Sequence, residues 1–348
     1  MRVLVTGGAG FVGSHVIDEL LAAGHEVIVV DSLLEVAHGN AAPDGLDDRA
    51  EYHWIDLADT DAVTRLLDGV DAVSHQAAMV GLGLDFDDVV AYTQANDVGT
   101  ASLLRALHSV GFSGRLVLAS SMVVYGEGSY SCLEHGDVTP APRDPTRLAR
   151  GQWEPPCPRC GADLVPRPVI ESAAIDPRSV YAVTKLHQEH LCGLFGRDHD
   201  LPVIALRYHN VYGPRMPRDT PYAGVASIFR SALEAGRPPM VFEDGAQRRD
   251  FVHVRDVARA NRLALENDNK WSGSLNVASG HARTVLDLAT ALAAALPDAP
   301  PPEVVPRYRA GDVRHVMGSP DAAARRLGFR AQESFHAGIA ELAIAPMR

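Results

Sequence analysis

The sequence predicts an α/β fold: a doubly wound parallel sheet, a smaller C-terminal α/β unit, and a small cysteine-bearing insert. Three observations predict it. The stretch "RVLVTGGAGFVGSHVIDELLAAGHEVIVVDSL" joins a β-branched run, a glycine-rich turn, an amphipathic helix and a second apolar run ending in an acid. Strand-like and helical segments then alternate over roughly the first 120 residues, the pattern of a sheet with helices on both faces. Finally, Cys132-x2-His135 and Cys157-x2-Cys160 fall in a stretch rich in proline and arginine.

In the opening unit, glycine is needed at Gly7, Gly10 and Gly13 for three reasons. The first permits a tight turn, the second lets a pyrophosphate approach the backbone, and the third lets helix pack on strand. Phe11 and Val12 stand between the last two glycines, where the helix N-terminus offers free N–H groups to phosphates. Asp31 closes the second strand, where a carboxylate accepts from ribose hydroxyls and favours NAD over its 2′-phosphorylated form. A glycine pattern alone is weak evidence. Between a strand and a helix, and answered by Asp31, it is specific.

The next strands read from "YHWIDLAD", "AVSHQAAMVG" and "GRLVLASSMVVYG". Asp56 and Leu57 are expected to border the adenine, and Ala77 with Ala78 to let the cofactor backbone pass. The third strand ends in Ser120 and Ser121. Together these segments describe a Rossmann-type NAD-binding domain.

Further along, "SVYAVTKLHQEHL" places Tyr181 and Lys185 four apart, on one helical face. A neighbouring ammonium stabilises a phenolate and lowers its pKa from about 10, making tyrosine a usable base. On spacing alone, an ordinary surface helix explains the pair better. The nucleotide-binding turn and the strand-end serine reverse that judgement.

Composition bounds the rest. The chain has 348 residues, 46% hydrophobic and 22% charged, with a net charge of −12. That balance argues against non-specific nucleic-acid binding, which needs a basic footprint. No apolar run approaches the roughly 20 residues that span a bilayer. The start "MRVLVTGGAG" enters a strand without signal-peptide features, and four cysteines are no disulfide framework. A cytoplasmic location is expected.

With "TGGAGFVG", Asp31, "SSMVVYG", "YAVTK", "RYHNVYGPR", "RRDFVHVRDV" and "RAGDVRH" in that order, the chain resembles the extended short-chain dehydrogenase/reductases of the NAD-dependent sugar epimerase/dehydratase family. The resemblance spans residues 1 to about 330. It implies that Ser121 hydrogen-bonds a sugar hydroxyl, that Tyr181 exchanges its proton, and that Lys185 holds the cofactor ribose and tunes the tyrosine. Asn96, in "QANDVGTASLLRA", matches an asparagine that orders the helix and water near the lysine.

Members of the family share oxidation of a sugar carbon by NAD and differ in the step taken after it. By resemblance, 4,6-dehydratases carry an aspartate–glutamate pair after the serine, sugar-acid decarboxylases a glutamate, and 3,5-epimerases a cysteine. Here Met122 and Val123 stand there, and neither moves a proton. The remaining groups suffice for hydride removal and return at C4 through a transient 4-keto sugar, the chemistry of a nucleotide-sugar 4-epimerase. A 4-ketoreductase or dehydrogenase that releases reduced cofactor is the enzymatic alternative. A non-catalytic NAD-sensing protein is disfavoured by intact Ser121, Tyr181 and Lys185.

By the same resemblance, Asn210 contacts the substrate phosphates, Arg249 and Arg309 pair with them, and Asp312 touches the nucleotide ribose. Arginine suits phosphate because its planar fork donates two parallel hydrogen bonds. Taken singly, each arginine also reads as a solvated surface charge. His209 replaces the bulky aromatic of "RYFN"-type segments, and both a sugar contact and a structural role stay open for it.

Ser121 and Tyr181 are 60 positions apart, more than is usual in the family, and the excess is the insert. Cys132, His135, Cys157 and Cys160 form two pairs at two-residue spacing, each followed by glycine, as a zinc-ribbon-like Cys3His structural zinc site requires. Free thiols or a disulfide are the alternatives. Four protein ligands would close the metal's shell and leave it no catalytic position. Cys192 reads as a buried core residue. Such an insert, with "LRYHNVYGPR", "PYAGVASIFRSALEAGRPPMVFEDG" and "ARGQWEPPCPRCGA", also resembles a bacterial subgroup acting on dTDP-6-deoxyhexoses, the dTDP-L-rhamnose 4-epimerases. A UDP-sugar remains the alternative substrate.

Residues 1–205, less the insert at about 128–172, are expected to form the NAD-binding domain. Residues 206–348 are expected to be mainly the nucleotide-sugar domain, with about 241–274 returning to the first. "TVLDLATALAAALPDAPPP" reads as a helix stopped by proline, and "PDAPPPEVVP" as a stiff connector. By resemblance, helices near 88–110 and 179–198 pair across a homodimer.

Overall fold

The computed structural model describes residues 1–39, 41–81, 86–218, 224–309 and 311–347. Residues 221–223 of the "PYAG" stretch and Ala310 of "RAGD" lie outside them. Seven strands form one parallel sheet in the order Gly273–Val277, Val203–Tyr208, Arg115–Ser121, Ala72–His75, Arg2–Thr6, Glu26–Asp31, Glu51–Trp54. Strand order reverses between Arg2–Thr6 and Ala72–His75, which opens a crevice at their carboxyl ends.

Successive strand residues point to opposite faces, so a sheet covered on both sides needs apolar residues in both registers. Val3 and Val5 join one core and Leu4 the other; Val117 and Ala119 oppose Leu116 and Leu118 in the same way. The first core takes Val16, Ile17 and Leu20 from helix Phe11–Ala22 and Val257, Ala258 and Ala260 from helix Val254–Leu265. The second takes Leu103 and Leu107 from helix Gly99–Ser109 and Cys192 and Phe195 from helix Val180–Asp198. Each fully buried Leu or Val contributes about 1.5–3 kcal/mol, so this double sandwich supplies a rigid floor for the crevice.

A third core gathers Phe229, Leu233, Leu288, Leu292, Ile339 and Leu342 from helices Val225–Glu234, Val285–Ala294 and Phe335–Ile344. Beside it, strands Asn210–Tyr212, Arg248–His253 and Ala282–Thr284 form a mixed sheet. Helix Val285–Ala294 starts with a reciprocal Thr284–Asp287 capping box and ends ahead of Pro297. The "PDAPPPEVVP" stretch is more than a connector. Once past its prolines, Glu303–Val305 pairs with Met240–Phe242, because two consecutive valines favour an extended edge.

The insert is a three-stranded antiparallel sheet, Gly136–Val138, Ser129–Cys132 and Val165–Arg167. Its core is small: Tyr130, Cys132, Cys157 and Leu164 with Val138 alongside. It leaves and rejoins the main body at one place, where Asp176 N–H donates to the Val124 carbonyl at 2.9 Å. Gly126 sits there at φ +62, and a β-carbon on it would lie 2.3 Å from the Asp176 carbonyl oxygen. No helix among the described residues is long and apolar enough to cross a membrane.

Candidate active site

The glycine turn follows strand Arg2–Thr6 directly. Gly7 adopts φ +68, and a β-carbon there would stand 2.6 Å from the Ala77 backbone. A β-carbon on Gly13 would stand 2.2 Å from the Gly7 carbonyl oxygen. Gly10 is less crowded, with only that oxygen, at 3.2 Å. Packing inside the turn therefore demands glycine at 7 and 13, while Gly10 leaves the backbone open at the helix start. Phe11 packs toward the third core and Val12 toward the first.

Asp31 is buried at the end of its strand and accepts from Ala9 N–H at 3.0 Å and Leu33 N–H at 2.9 Å. It thereby ties the glycine turn to the strand on which a ribose would rest. Asp56 is exposed and accepts locally from Ala58 N–H. The Leu57 side chain is turned into the core, so only its backbone faces the crevice edge. Ala77 N–H donates to Thr6 Oγ1 at 3.2 Å, and Ala78 is half-buried beside it.

Helix Val180–Asp198 begins where Ser179 accepts from Ala182 N–H. It carries Tyr181 and Lys185 to the carboxyl end of strand Arg115–Ser121. Tyr181 hydrogen-bonds with Ser121, and the Tyr92 ring lies 6.1 Å from its own. Lys185 is buried, donates to the Ala119 carbonyl at 2.9 Å, and stands 5.9 Å from the Tyr181 ring centre.

Burial acts on this pair against the lowering of the Tyr181 phenol expected from Lys185. The Tyr181 ring keeps some exposed edge, yet burial around its phenol pushes it up to about 12, with the Ser121 hydrogen bond pulling the other way. The same burial drives Lys185 down to about 7, which weakens the ammonium that was to stabilise a phenolate.

Asn96 sits in a π-helical turn, Thr93–Val98, with its side chain fully buried. Its Oδ1 accepts from Met79 N–H at 2.7 Å, and its Nδ2 donates to the Met79 carbonyl and to Thr184 Oγ1. It thus reaches the tyrosine helix through Thr184, beside Lys185, and not through the lysine itself. A second chain runs behind it. Thr100 donates to the Asn96 carbonyl and must accept from His75 Nε2, so His75 Nδ1 accepts from Thr6, whose oxygen accepts from Ala77 N–H. Burial holds His75 neutral, near 3. These bonds join the glycine turn to the tyrosine helix without a charge.

At the substrate end, Asn210 Oδ1 is buried with no hydrogen-bond partner among the described residues. Arg249 is deeply placed, and its Nη atoms donate to the carbonyls of Arg248, Val313 and Arg314 at 2.7–2.9 Å. Burial lowers its pKa, and Asp312 is the leading opposing charge. Arg309 is exposed, its guanidinium 5.5 Å from the Phe242 ring centre. Burial raises the Asp312 carboxyl against the pull of Arg249 and Arg309. His209 is buried, with Asn276 beside it, and packed against Gly318, where a β-carbon would collide at 2.5 Å.

The four ligand atoms of Cys132, His135, Cys157 and Cys160 lie within 4.8 Å of one another. Individual separations are 3.4 Å for Cys132–His135, 3.7 Å for Cys132–Cys160 and 3.7 Å for Cys157–His135. A tetrahedral zinc would set sulfurs about 3.8 Å apart and sulfur from nitrogen about 3.5 Å, so the set fits the metal. Gly136 and Gly161 have φ +67 and +76, the turns that the spacing requires. At Cys157 burial raises the thiol, but the Cys160 and Arg159 N–H groups outweigh it and bring it to about 6. None of the four cysteines is paired in a disulfide, and Cys192 is a core residue.

Sequence reading missed a buried ionic cluster. Arg143 and Glu154 from the insert meet Glu243, Asp244, Arg314 and His315. No spacing rule marks it, because its members come from three distant segments. The only trace was an arginine-rich insert in an acidic chain.

The family described as "NAD dependent epimerase/dehydratase family" matches residues 3–147 and 161–278, a break that falls inside the insert. Among curated proteins, a dTDP-L-rhamnose 4-epimerase of Burkholderia thailandensis is 33% identical over 98% of this chain and 93% of its own. A UDP-glucose 4-epimerase of Thermus thermophilus, solved in complex with NAD, superposes with a TM-score of 0.77 at 31% identity, covering 99% of this chain and 98% of that one. The UDP-glucose 4-epimerase of Thermotoga maritima, solved with UDP-glucose, gives 0.79 at 29% identity, covering 99% and 97%.

Proposed function

This chain belongs to the NAD-dependent epimerase/dehydratase family, and from that premise we propose that it is a nucleotide-sugar 4-epimerase acting on a dTDP-6-deoxyhexose such as dTDP-L-rhamnose. One observation carries the reaction type. Ser121, Tyr181 and Lys185 converge at the sheet's carboxyl edge, while the two positions directly after Ser121 are Met122 and Val123, with Met122 packed against the Val124–Val316 cluster. Of the described residues of that turn, Met122, Val123 and Val124 move no proton, and the Tyr125 hydroxyl is taken up by Asn276 and Arg207. That leaves Tyr181 as the proton carrier and no carboxylate or thiol there for elimination or decarboxylation.

When bound, NAD supplies reversible hydride acceptance. Gly7, Gly10, Gly13 and the helix N-terminus cradle its phosphates, and Asp31 takes its ribose. Tyr181 removes and returns the C4 hydroxyl proton, Ser121 holds that oxygen, and Lys185 faces the ribose and the phenol. Asn210, Arg249, Arg309 and Asp312 hold the substrate's diphosphate and ribose. Residues 1–205 without the insert form the cofactor domain, and most of 206–348 the substrate domain.

The dTDP-6-deoxyhexose reading is supported by the Burkholderia relative, which aligns along nearly the whole chain, and by the cysteine-bearing insert. A UDP-sugar is the second reading, favoured by the Thermus and Thermotoga neighbours. Cys132, His135, Cys157 and Cys160 hold a structural zinc, which suits a reducing cytoplasm. Two copies pair through helix Val180–Asp198 and the Val89–Ser109 region, supported by exposed Phe86, Val90, Val183 and Leu194.

The deciding experiment incubates the protein with dTDP-, UDP- and GDP-sugars and follows C4 inversion by NMR. Inversion of a dTDP-6-deoxyhexose without net NADH production is expected. Net cofactor reduction, or no turnover of any sugar nucleotide, overturns the reading.

A further inference from the structure

We propose that the insert is a working wall of the nucleotide end of the cleft, in which Arg143 and Glu154 act as positioning residues for the segment that starts at Asp312 and anchors Arg249. The inference rests on the 4-epimerase reading. It gives the metal-held insert a role in nucleotide affinity beyond holding itself together.

The geometry is specific. Arg143, with a side chain only 3% exposed, donates to both Glu243 carboxylate oxygens at 2.8 and 2.9 Å and to the Asp312 carbonyl at 3.3 Å. Arg314, at 1%, donates to Glu243 at 2.9 Å, to both oxygens of Asp244 at 2.8 and 2.9 Å, and through Nε and Nη2 to Glu154 at 2.9 and 2.7 Å. His315 Nδ1 accepts from Arg248 N–H, so Nε2 carries the proton and donates to Glu154 at 2.9 Å. Glu154 therefore bridges two consecutive residues of the same segment.

The metal side grips that segment as well. Tyr130 shares the small insert core with Cys132 and Cys157, and its hydroxyl accepts from His315 N–H at 3.1 Å. On the insert's return limb, Val169 N–H donates to the Met317 carbonyl and its own carbonyl accepts from Ser319 N–H. Residues 312–319 are thus held by the insert from start to end.

A displaced insert would take Arg143 from Glu243 and Glu154 from Arg314 and His315, leaving the buried Glu243–Arg314 pair short of the partners that balance it, so the segment would shift with it. Arg249 would follow, since it is anchored on the Val313 and Arg314 carbonyls. Asp31, the glycine turn and Tyr181 lie on the other unit, and among the described residues no hydrogen bond joins them to these groups. The coupling should therefore appear in nucleotide affinity and leave the chemical step alone.

The test uses full-length, zinc-loaded protein, with titration calorimetry of dTDP and UDP and steady-state kinetics on whichever sugar nucleotide the wild type turns over. Arg143→Met and Glu154→Gln should each weaken nucleoside diphosphate binding and raise KM by at least tenfold. The kcat should stay within about twofold and the bound NAD content should be unchanged. Arg143→Lys should recover part of the affinity, and Cys157→Ser should reproduce the same KM pattern through the metal. Glu154→Gln preserves shape and serves should Arg143→Met fail to fold. Unchanged dTDP and UDP affinity in folded variants overturns the proposal, as does a parallel fall in kcat and NAD content. A wild type that binds neither nucleotide and epimerises nothing overturns the functional reading itself, a result separable from variants that match an active wild type.

Discussion

Lys185 stands one helical turn from Tyr181, its ammonium 5.9 Å from that ring's centre and hydrogen-bonded to the Ala119 carbonyl at 2.9 Å. Burial, more than proximity, governs this pair: the phenol rises to about 12 and the amine falls to about 7. A cationic cofactor placed beside them would act on both values.

That depression makes Lys185 a stability liability with a defined pH window. Its folded value of about 7 lies below the ordinary 10.5, so the folded state resists protonation. The associated stability is fully present above pH 10.5 and is lost as pH falls through about 7. By linkage the whole window amounts to at most about 5 kcal/mol. Chemical denaturation of NAD-stripped protein should show Lys185→Met gaining on wild type as pH drops across this range. A pH-independent difference between the two would contradict the buried amine.

Tyr181→Phe removes the proposed proton carrier and keeps the ring. A loss of about 10²–10⁴ in kcat is expected, the usual size of acid–base catalysis. NAD content, read by absorbance after denaturation, should match wild type. Near-normal turnover by this variant would assign the proton transfer to another group.

Gly13→Ala adds a β-carbon 2.2 Å from the Gly7 carbonyl oxygen. Neither partner can yield, because both are backbone inside the turn. Purified Gly13→Ala should lose NAD and unfold at lower temperature than wild type. By contrast Gly39→Ala, with no atom within 4 Å, should retain cofactor. Equal NAD content in Gly13→Ala would show the turn to be deformable.

Zinc analysis of the purified protein should return one equivalent per chain, abolished in Cys157→Ser with Cys160→Ser. Limited proteolysis of that variant should cut first within the insert, whose core is five residues. Native protein without metal would leave the four ligands as thiols and an imidazole packed by chance.

Most of the fold was legible because its signals are local. The glycine turn, Asp31 and the alternating apolar strands each follow from neighbours a few positions apart, and the parallel sheet follows from them. The Tyr181–Lys185 spacing and the two Cys/His pairs are equally local. The raising effect of burial on the phenol was not legible, because it depends on how much protein surrounds the group, which spacing does not report. The strand at Glu303–Val305 was hidden because its partner, Met240–Phe242, is some sixty residues away.

By itself, then, the sequence determined the glycine turn with Asp31, the one-face placement of Tyr181 and Lys185 and the pairing of Cys132, His135, Cys157 and Cys160, since backbone sterics and fixed helical spacing dictate each of them. Only the tertiary structure decided the burial that pushes the Tyr181 phenol up and the Lys185 amine down, and the clamp of Arg143 and Glu154 on Glu243, Arg314 and His315. Desolvation and buried ion pairing depend on what long-range folding brings together, and no local pattern encodes that.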